Sequence, residues 1–228
     1  MNPFFTPLLR RVYAAFALIT ALHLAWPVVR NSAWNRQRLL RVLTTAEKTS
    51  VRQSAAADLA AFGGEAQLLA ALREPSVAVQ DAAGAALLQL WFNRGGLDEM
   101  QLLEKAQGFI EHRQMRRALV VLNFVTRTHP FYAAGWECRA TIHWKLGNLK
   151  KAASDCRKVV LLNPNHFAAW RCLGVCQMAQ GRVAEASESL LQALLIAPED
   201  REARAYFRRC GEIKSRLRSR PGAGALEI

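Results

Sequence analysis

Residues 167–200 read FAAWRCLGVCQMAQGRVAEASESLLQALLIAPED, and this stretch repeats the pattern of residues 133–166. At an offset of 34 residues, a tryptophan, a glycine, an alanine and a proline coincide. A pattern that recurs at a fixed period of this length is typical of helical repeat proteins, in which each unit is a pair of helices. The coinciding residues are Trp136 and Trp170, Gly147 and Gly181, Ala152 and Ala186, and Pro164 and Pro198.

The same pattern continues more faintly into residues 99–132, one period upstream. Small residues recur within both predicted helices of each unit, which allows the two backbones to approach closely. A glycine follows a first helix, where a left-handed backbone favours a helix end, and a proline ends each second helix. The small residues are Ala106, Ala140 and Gly174 in the first helices and Ala118, Ala152 and Ala186 in the second.

The segments WRCLGVCQ (170–177) and AEASESLLQALLIAP (184–198) resemble the tetratricopeptide repeat, or TPR, whose pattern is W-x2-L-G-x2-Y, then A-x3-F, then P. The preceding unit departs from this pattern, since Arg139 and Ala140 replace Leu-Gly and His143 replaces the tyrosine. The resemblance covers about half the chain. It implies an all-α fold, a right-handed solenoid of helical hairpins, and is specific for fold rather than for function.

Residues 45–97 show a second, shorter period. VRQSAAADLAAF (51–62) recurs as VQDAAGAALLQL (79–90) at an offset of 28 residues. This pattern resembles HEAT-like repeats, in which alanine-rich helices stack. A plain alanine-rich bundle is the alternative, and it would leave the all-helical class unchanged.

These patterns predict a division of the chain into five parts, with the glycine-rich segment 93–99 as the joint between the two arrays. They are an N-terminal hydrophobic and basic helix at 1–44, HEAT-like helices at 45–97, three TPR repeats within 98–200 (99–132, 133–166 and 167–200), a capping helix at 201–217 and a disordered tail at 218–228.

The N-terminal segment contains no formal charge from Val12 to Val29, a run of eighteen residues flanked by arginines. As a helix this run is long enough to cross the hydrocarbon part of a bilayer. We therefore predict a single-pass membrane protein anchored by residues 12–29, with a slight preference for cytoplasmic repeats from the flanking arginines. A cleaved signal peptide, an organelle-targeting peptide and a buried first helix are the alternatives.

The formal net charge of +13 is concentrated at the two ends of the chain. Residues 1–44 contain six arginines and no acidic residue, and residues 201–228 contain eight basic residues against three acidic ones. Basic ends of this kind could bind the phosphates of RNA or of lipid headgroups. No recognised nucleic-acid module accompanies them, so a solvated helix face is the simpler interpretation.

No sequence motif indicates catalysis. The chain lacks a glycine-rich phosphate loop, an H-E-x-x-H segment and paired CxxC motifs, so we predict no enzymatic activity and no cofactor. His166, Cys172 and Cys176 are spaced like zinc ligands. However, the cysteines recur with the repeat period, which spreads them along the solenoid, so we interpret them as reduced packing residues and predict no metal site.

A solenoid of this family offers an inner groove lined by the first helix of each repeat. The resemblance implies a partner-binding groove that is more apolar than charged, with Trp144 and Met178 as anchors or as contacts to neighbouring helices. It disfavours the family's Lys and Asn clamp for a C-terminal carboxylate. Leu103 and Glu137 stand at the lysine positions, and Gln107 and Thr141 at the asparagine positions. The remaining predicted groove residues are Ile110, Lys145, Arg171 and Val175.

Two function classes follow. The first is a membrane-tethered, non-enzymatic adaptor whose groove captures a helical or extended apolar segment of a protein partner. The second is an RNA-associated helper that uses the basic termini, and a structural subunit of a larger complex is a further alternative.

Overall fold

The structure, a computed structural model, describes Phe16, Thr20 and residues 27–218. Within residues 27–218 the regular secondary structure is entirely helical, which confirms the predicted all-α class. A short helical segment at 27–30 precedes eleven further helices. In chain order these are α1 (Ala33–Thr45), α2 (Thr49–Ala61), α3 (Glu65–Ala71), α4 (Val77–Phe92), α5 (Leu97–Glu111), α6 (Met115–Thr128), α7 (Ala133–Lys145), α8 (Leu149–Leu162), α9 (Phe167–Ala179), α10 (Val183–Ile196) and α11 (Arg201–Arg218).

Helices α5 to α10 form three hairpins whose internal turns share one geometry. Gly147 and Gly181 have φ of 73° and 77°, the left-handed conformation that ends a helix. Arg113, which lies 34 residues before Gly147, takes the same conformation with φ of 56°. A residue with a Cβ is strained there by about 1 kcal/mol. The first hairpin therefore has the TPR-type turn without its glycine, which is why its repeat is faint in the sequence.

A hydrogen bond also recurs with the 34-residue period. The indole Nε1 of a tryptophan in each of two first helices donates to the carbonyl oxygen of the proline that ends the preceding hairpin. This bond links the first helix of a hairpin to the end of the hairpin before it. The distances are 3.0 Å from Trp136 to Pro130 and 2.8 Å from Trp170 to Pro164, and at the next position Arg204 Nη2 donates to the Pro198 oxygen at 2.6 Å.

Close approach of the two helices in the third hairpin depends on Gly174. A Cβ at this position would lie 2.6 Å from Cγ of Leu190 and 3.1 Å from the carbonyl oxygen of Ala186. Both distances are shorter than a normal contact, so a side chain at position 174 would push α9 and α10 apart. The small residues of the repeat thus set the spacing within the hairpin.

Helices α1 to α4 build a core of their own, which extends into the repeats. Leu59 and Leu87 are 0% exposed within it, and the same cluster contains Phe167 from α9 and Ala197 from the turn after α10. The two arrays therefore share one apolar interface. The HEAT-like character of α2 to α4 stays a prediction.

The predicted membrane anchor is contradicted. Among the residues that the structure describes, no helix combines the length and the apolar character needed to cross a bilayer. The prediction of a single-pass membrane protein, and of repeats held on one side of a membrane, is therefore wrong on this finding. Most of residues 12–29 and the whole of the tail from 219 lie outside the described residues.

Candidate functional site

Helix α4 lies against the face that the first helices of the repeats present. The ring atom Cζ of Phe167 comes within 3.5 Å of the position that a Cβ on Gly84 would occupy, so α4 passes directly over the start of α9. Arg73, just before α4, donates from Nη2 to the Leu195 carbonyl oxygen at 3.2 Å. The predicted inner groove is thus partly occupied by the chain's own N-terminal helices.

A cavity of about 690 Å³ remains between α4 and the first two hairpins. One wall is apolar and comes from α4, whereas the opposite wall is polar and acidic. Glu104 and Glu111 are exposed, and neither forms an ion pair within residues 27–218. The lining residues are Ala85, Leu88, Gln89 and Phe92 on α4, Glu104, Gln107, Gly108 and Glu111 on α5, and Glu137 on α7.

Two of the predicted groove residues, Gln107 and Glu137, line this cavity together. Leu103 does not, because it is 1% exposed and packs in the core formed by α5, α6 and α7. The assignment of Leu103 as a partner-binding residue is therefore corrected: its side chain is taken up by packing between helices. Ile110 belongs to the same cluster as a partly buried residue.

The other predicted groove residues have different surroundings. Met178 packs against the cluster that contains Ala203 and Cys210 of α11, so it lies on the side of the last helix. Arg171 pairs with Asp200 at 2.6 Å and with Glu202 at 3.2 Å. Thr141, Trp144 and Lys145 are exposed on α7, and Val175 is half-buried on α9.

An ion-pair network between α7 and α8 was missed by sequence reasoning. Arg139 binds both carboxylate oxygens of Asp155, with Nε–Oδ2 of 2.8 Å and Nη2–Oδ1 of 2.7 Å. Its remaining nitrogen donates to Thr126 Oγ1 at 2.6 Å and to Asn123 Oδ1 at 3.0 Å. The guanidinium also lies 4.7 Å from the centre of the Trp136 ring. The signal was the replacement of the repeat's leucine by Arg139, together with a carboxylate sixteen residues later.

His166 is a structural residue of the turn between α8 and α9. The residue is 1% exposed, and its ring centroid lies 4.6 Å from that of Trp91. Nδ1 accepts a hydrogen bond from the Ala169 amide at 3.3 Å, and Nε2 lies 3.2 Å from a Glu137 carboxylate oxygen. Both ring nitrogens are therefore engaged away from the cysteines. In the part of the chain that the structure describes, no three histidine, cysteine, aspartate or glutamate side chains are arranged to hold a metal ion.

The burial of His143 predicts that the stability of the folded protein depends on pH. It is 8% exposed, and its Nδ1 has no hydrogen-bond partner within residues 27–218. Burial lowers its pKa below 6.5, against the opposing effect of Asp155. The imidazole of His143 therefore binds a proton more readily in the unfolded chain than in the folded one. The contribution of His143 to the free energy of unfolding is complete above pH 6.5 and is lost as the pH falls below that value.

We expect the free energy of unfolding to fall from pH 7 to pH 5 with a slope contribution of at most about 1.4 kcal/mol per pH unit, the limit for one proton. Replacing His143 by phenylalanine, which keeps the aromatic ring of the repeat position, should remove this contribution. Urea titrations of both proteins at several pH values measure it, and equal slopes would contradict the assignment to His143.

Three comparisons with known proteins agree with the repeat geometry. Residues 143–206 match the family model described as tetratricopeptide repeat. A TPR repeat-containing protein of Rhizobium etli is 32% identical over 77 residues, which is 34% of this chain and 38% of that protein. The matched part therefore spans well under half the length of this curated relative.

Two solved structures share the fold. The first TPR of Spaghetti (RPAP3), bound to the HSP90 peptide SRMEEVD, has a TM-score of 0.50 at 21% identity and covers 51% of this chain and 93% of its own. The Sgt2 TPR domain from Aspergillus fumigatus has a TM-score of 0.51 at 13% identity, covering 58% and 89%. At these identities the likeness concerns the fold alone. Together with the recurring turns, the family match over residues 143–206 shows that this part of the chain is similar to tetratricopeptide repeats.

Proposed function

We propose that this protein is a non-enzymatic adaptor, and that the cavity between α4 and α5 binds a segment of a protein partner. TPR arrays form a protein-interaction fold, and in this chain α4 covers part of the inner face and leaves the cavity beside α5 open. The observation that carries the proposal is the mixed lining of that site. Leu88 and Phe92 offer apolar contact on one side, and Glu104 and Glu111 offer unpaired carboxylates on the other.

This lining favours an amphipathic segment with apolar and basic side chains. Such a segment can lay its apolar face on α4 while its lysines or arginines pair with the two glutamates. Complementary charges of this kind fix orientation and exclude partners of the wrong sign. The sequence predicts an apolar partner segment, and the proposed partner segment is both apolar and cationic.

The same charges disfavour an acidic ligand. The peptide bound to the TPR of Spaghetti (RPAP3) contains the acidic run EEVD. In this chain the cavity presents glutamates instead, and Glu137 and Leu103 stand where the family's clamp would have lysines. RNA phosphates would meet the same repulsion at this site. We therefore propose a cationic protein segment as the ligand.

Two synthetic helical peptides test this proposal. They share one apolar pattern and differ only in having lysine or glutamate at every polar position. We expect the full chain to bind the lysine peptide, with an affinity that falls as salt rises. Because the chain carries +13, non-specific attraction favours the glutamate peptide, so a preference for lysine reports the cavity. Fluorescence anisotropy of labelled peptides measures both affinities.

Charge reversal at the cavity provides the second part of the test. The double variant Glu104→Lys/Glu111→Lys should bind the lysine peptide at least about tenfold more weakly. Glu188→Lys/Glu212→Lys, which changes the net charge equally at exposed positions on α10 and α11, is the matched control and should bind normally. Equal loss in both variants, or binding of neither peptide by the unmodified chain, would refute the proposal.

A further inference from the structure

Two thiols from neighbouring hairpins lie in contact. Cys156 on α8 and Cys172 on α9 are free cysteines whose Sγ atoms are 2.9 Å apart. Because the two residues are on different helices, this proximity comes from the packing of one hairpin on the next. Only a small movement of either side chain separates this arrangement from a covalent sulfur–sulfur bond.

The pair is accessible to small molecules. A cavity of about 190 Å³ is lined by both cysteines and opens beside Glu137, Thr141 and Arg171. Its volume is several times the roughly 30 Å³ that a water molecule takes up in the liquid, so it admits a molecule of the size of hydrogen peroxide. Cys156 is 2% exposed, whereas Cys172 is half-buried and is therefore the first sulfur that an incoming oxidant meets.

A third thiol completes the cluster. Cys176 lies one turn after Cys172 on α9 and is 0% exposed. Hydrogen bonds from Cys156 and then from Cys172 hold the pKa of Cys176 below its usual range. The pKa of Cys156 is raised, first by its hydrogen bond to Cys172. The pKa of Cys172 is also raised, because the hydrogen bond from Cys156 lowers it less than Cys176 and burial together raise it. The three thiols therefore share their protons as one cluster, and the case for a bond between Cys156 and Cys172 rests on the contact of their sulfurs and on the cavity beside them.

From the geometry of the cavity and the two sulfurs, we propose that Cys156 and Cys172 form a reversible disulfide when the protein meets a small hydroperoxide. The bond would join α8 to α9 and so fix the second hairpin against the third. It would form beside Glu137, one of the residues that line the larger cavity. This inference does not depend on the proposed peptide binding.

The chemistry balances with one peroxide. The Cys172 sulfur attacks one peroxide oxygen, the O–O bond breaks, and the thiol proton leaves with the departing hydroxide as water, giving a sulfenic acid. The Cys156 sulfur then attacks the Cys172 sulfur, and the S–O bond breaks. The hydroxyl group leaves with the Cys156 proton as a second water. The two sulfurs lose two electrons in total, and the two peroxide oxygens gain them.

Mass spectrometry of the full chain after mild hydrogen peroxide treatment tests the proposal. We expect a loss of two hydrogen atoms and a fall in titratable thiols from five to three after denaturation. Dithiothreitol should restore both values. Peptide mapping without reduction should place the crosslink between Cys156 and Cys172.

Single substitutions separate this bond from general oxidation. Cys172→Ser and Cys156→Ser should each abolish the loss of two hydrogens, with circular dichroism verifying that the helices are retained. Cys138→Ser and Cys210→Ser should leave it unchanged, because neither residue hydrogen-bonds to another thiol within residues 27–218. The proposal is overturned if the bond maps to another pair, or if peroxide adds only oxygen atoms.

Discussion

Replacing Arg139 by leucine is expected to lower the free energy of unfolding by about 3 kcal/mol or more. Asp155 is 3% exposed, and the Arg139 guanidinium binds both of its oxygens. Without the arginine, a carboxylate stays buried with no cation opposite it. The cost of breaking a buried pair in this way exceeds the net contribution of the intact pair, because the remaining charge keeps its desolvation penalty.

The repeats themselves supply a matched control. Leu173 occupies the position of Arg139 in the following repeat, and Val121 occupies that of Asp155 in the preceding one. The double variant Arg139→Leu/Asp155→Val therefore exchanges the pair for side chains that this fold already accommodates. We expect it to recover most of the stability that either single variant loses.

Urea unfolding of the four proteins, followed by circular dichroism at neutral pH, completes the double-mutant cycle. A coupling energy above about 1 kcal/mol supports a cooperative pair. If Arg139→Leu alone unfolds like the unmodified protein, the network contributes nothing to stability.

The sequence was sufficient for the fold wherever the repeat kept its own pattern. In α9 and α10, Trp170, Gly174 and Gly181 all carry their repeat function, so one stretch predicts the hairpin. In the first hairpin the turn is formed by Arg113 in a left-handed conformation, which no composition rule would assign to an arginine. The repeat pattern thus predicts a hairpin only where the left-handed turn position is occupied by glycine, the residue that usually takes this conformation.

The candidate site was less accessible to sequence reasoning, because its apolar wall comes from outside the repeats. The repeat register placed Gln107 and Glu137 on the inner face, and both line the cavity. It also placed Leu103 there, although that side chain is buried in the core formed by α5, α6 and α7. Leu88 and Phe92 belong to α4, whose position depends on contacts between residues far apart in the chain.

Those contacts centre on Trp91, and its replacement by alanine is expected to cost about 3–5 kcal/mol. Trp91 is 3% exposed, with its ring centroid 4.6 Å from that of His166 and 6.2 Å from that of Phe167. Its Nε1 donates to Glu65 Oε1 at 2.7 Å, which ties α4 to α3. Removing the indole leaves a cavity between α4 and the start of α9.

The lost stability should weaken the contact between helices α1 to α4 and the repeats rather than the packing within either group of helices. We therefore expect Trp91→Ala to lower the unfolding midpoint and to divide one transition into two, as the N-terminal helices separate from the repeats before the repeats unfold. Trp91→Phe keeps most of the ring packing and loses the hydrogen bond, so it should cost only about 1–2 kcal/mol and keep a single transition.

Urea unfolding by circular dichroism, with limited proteolysis of the segment at 93–96, distinguishes these outcomes. Early cleavage in the alanine variant alone would show that the joint opens.

Binding of the lysine peptide gives an independent measurement, because the cavity loses its apolar wall when α4 moves away. The affinity for this peptide should fall in Trp91→Ala but not in Trp91→Phe. A single, slightly shifted transition in Trp91→Ala would mean instead that the shared core of Leu87, Phe167 and Ala197 holds the two arrays together without the tryptophan.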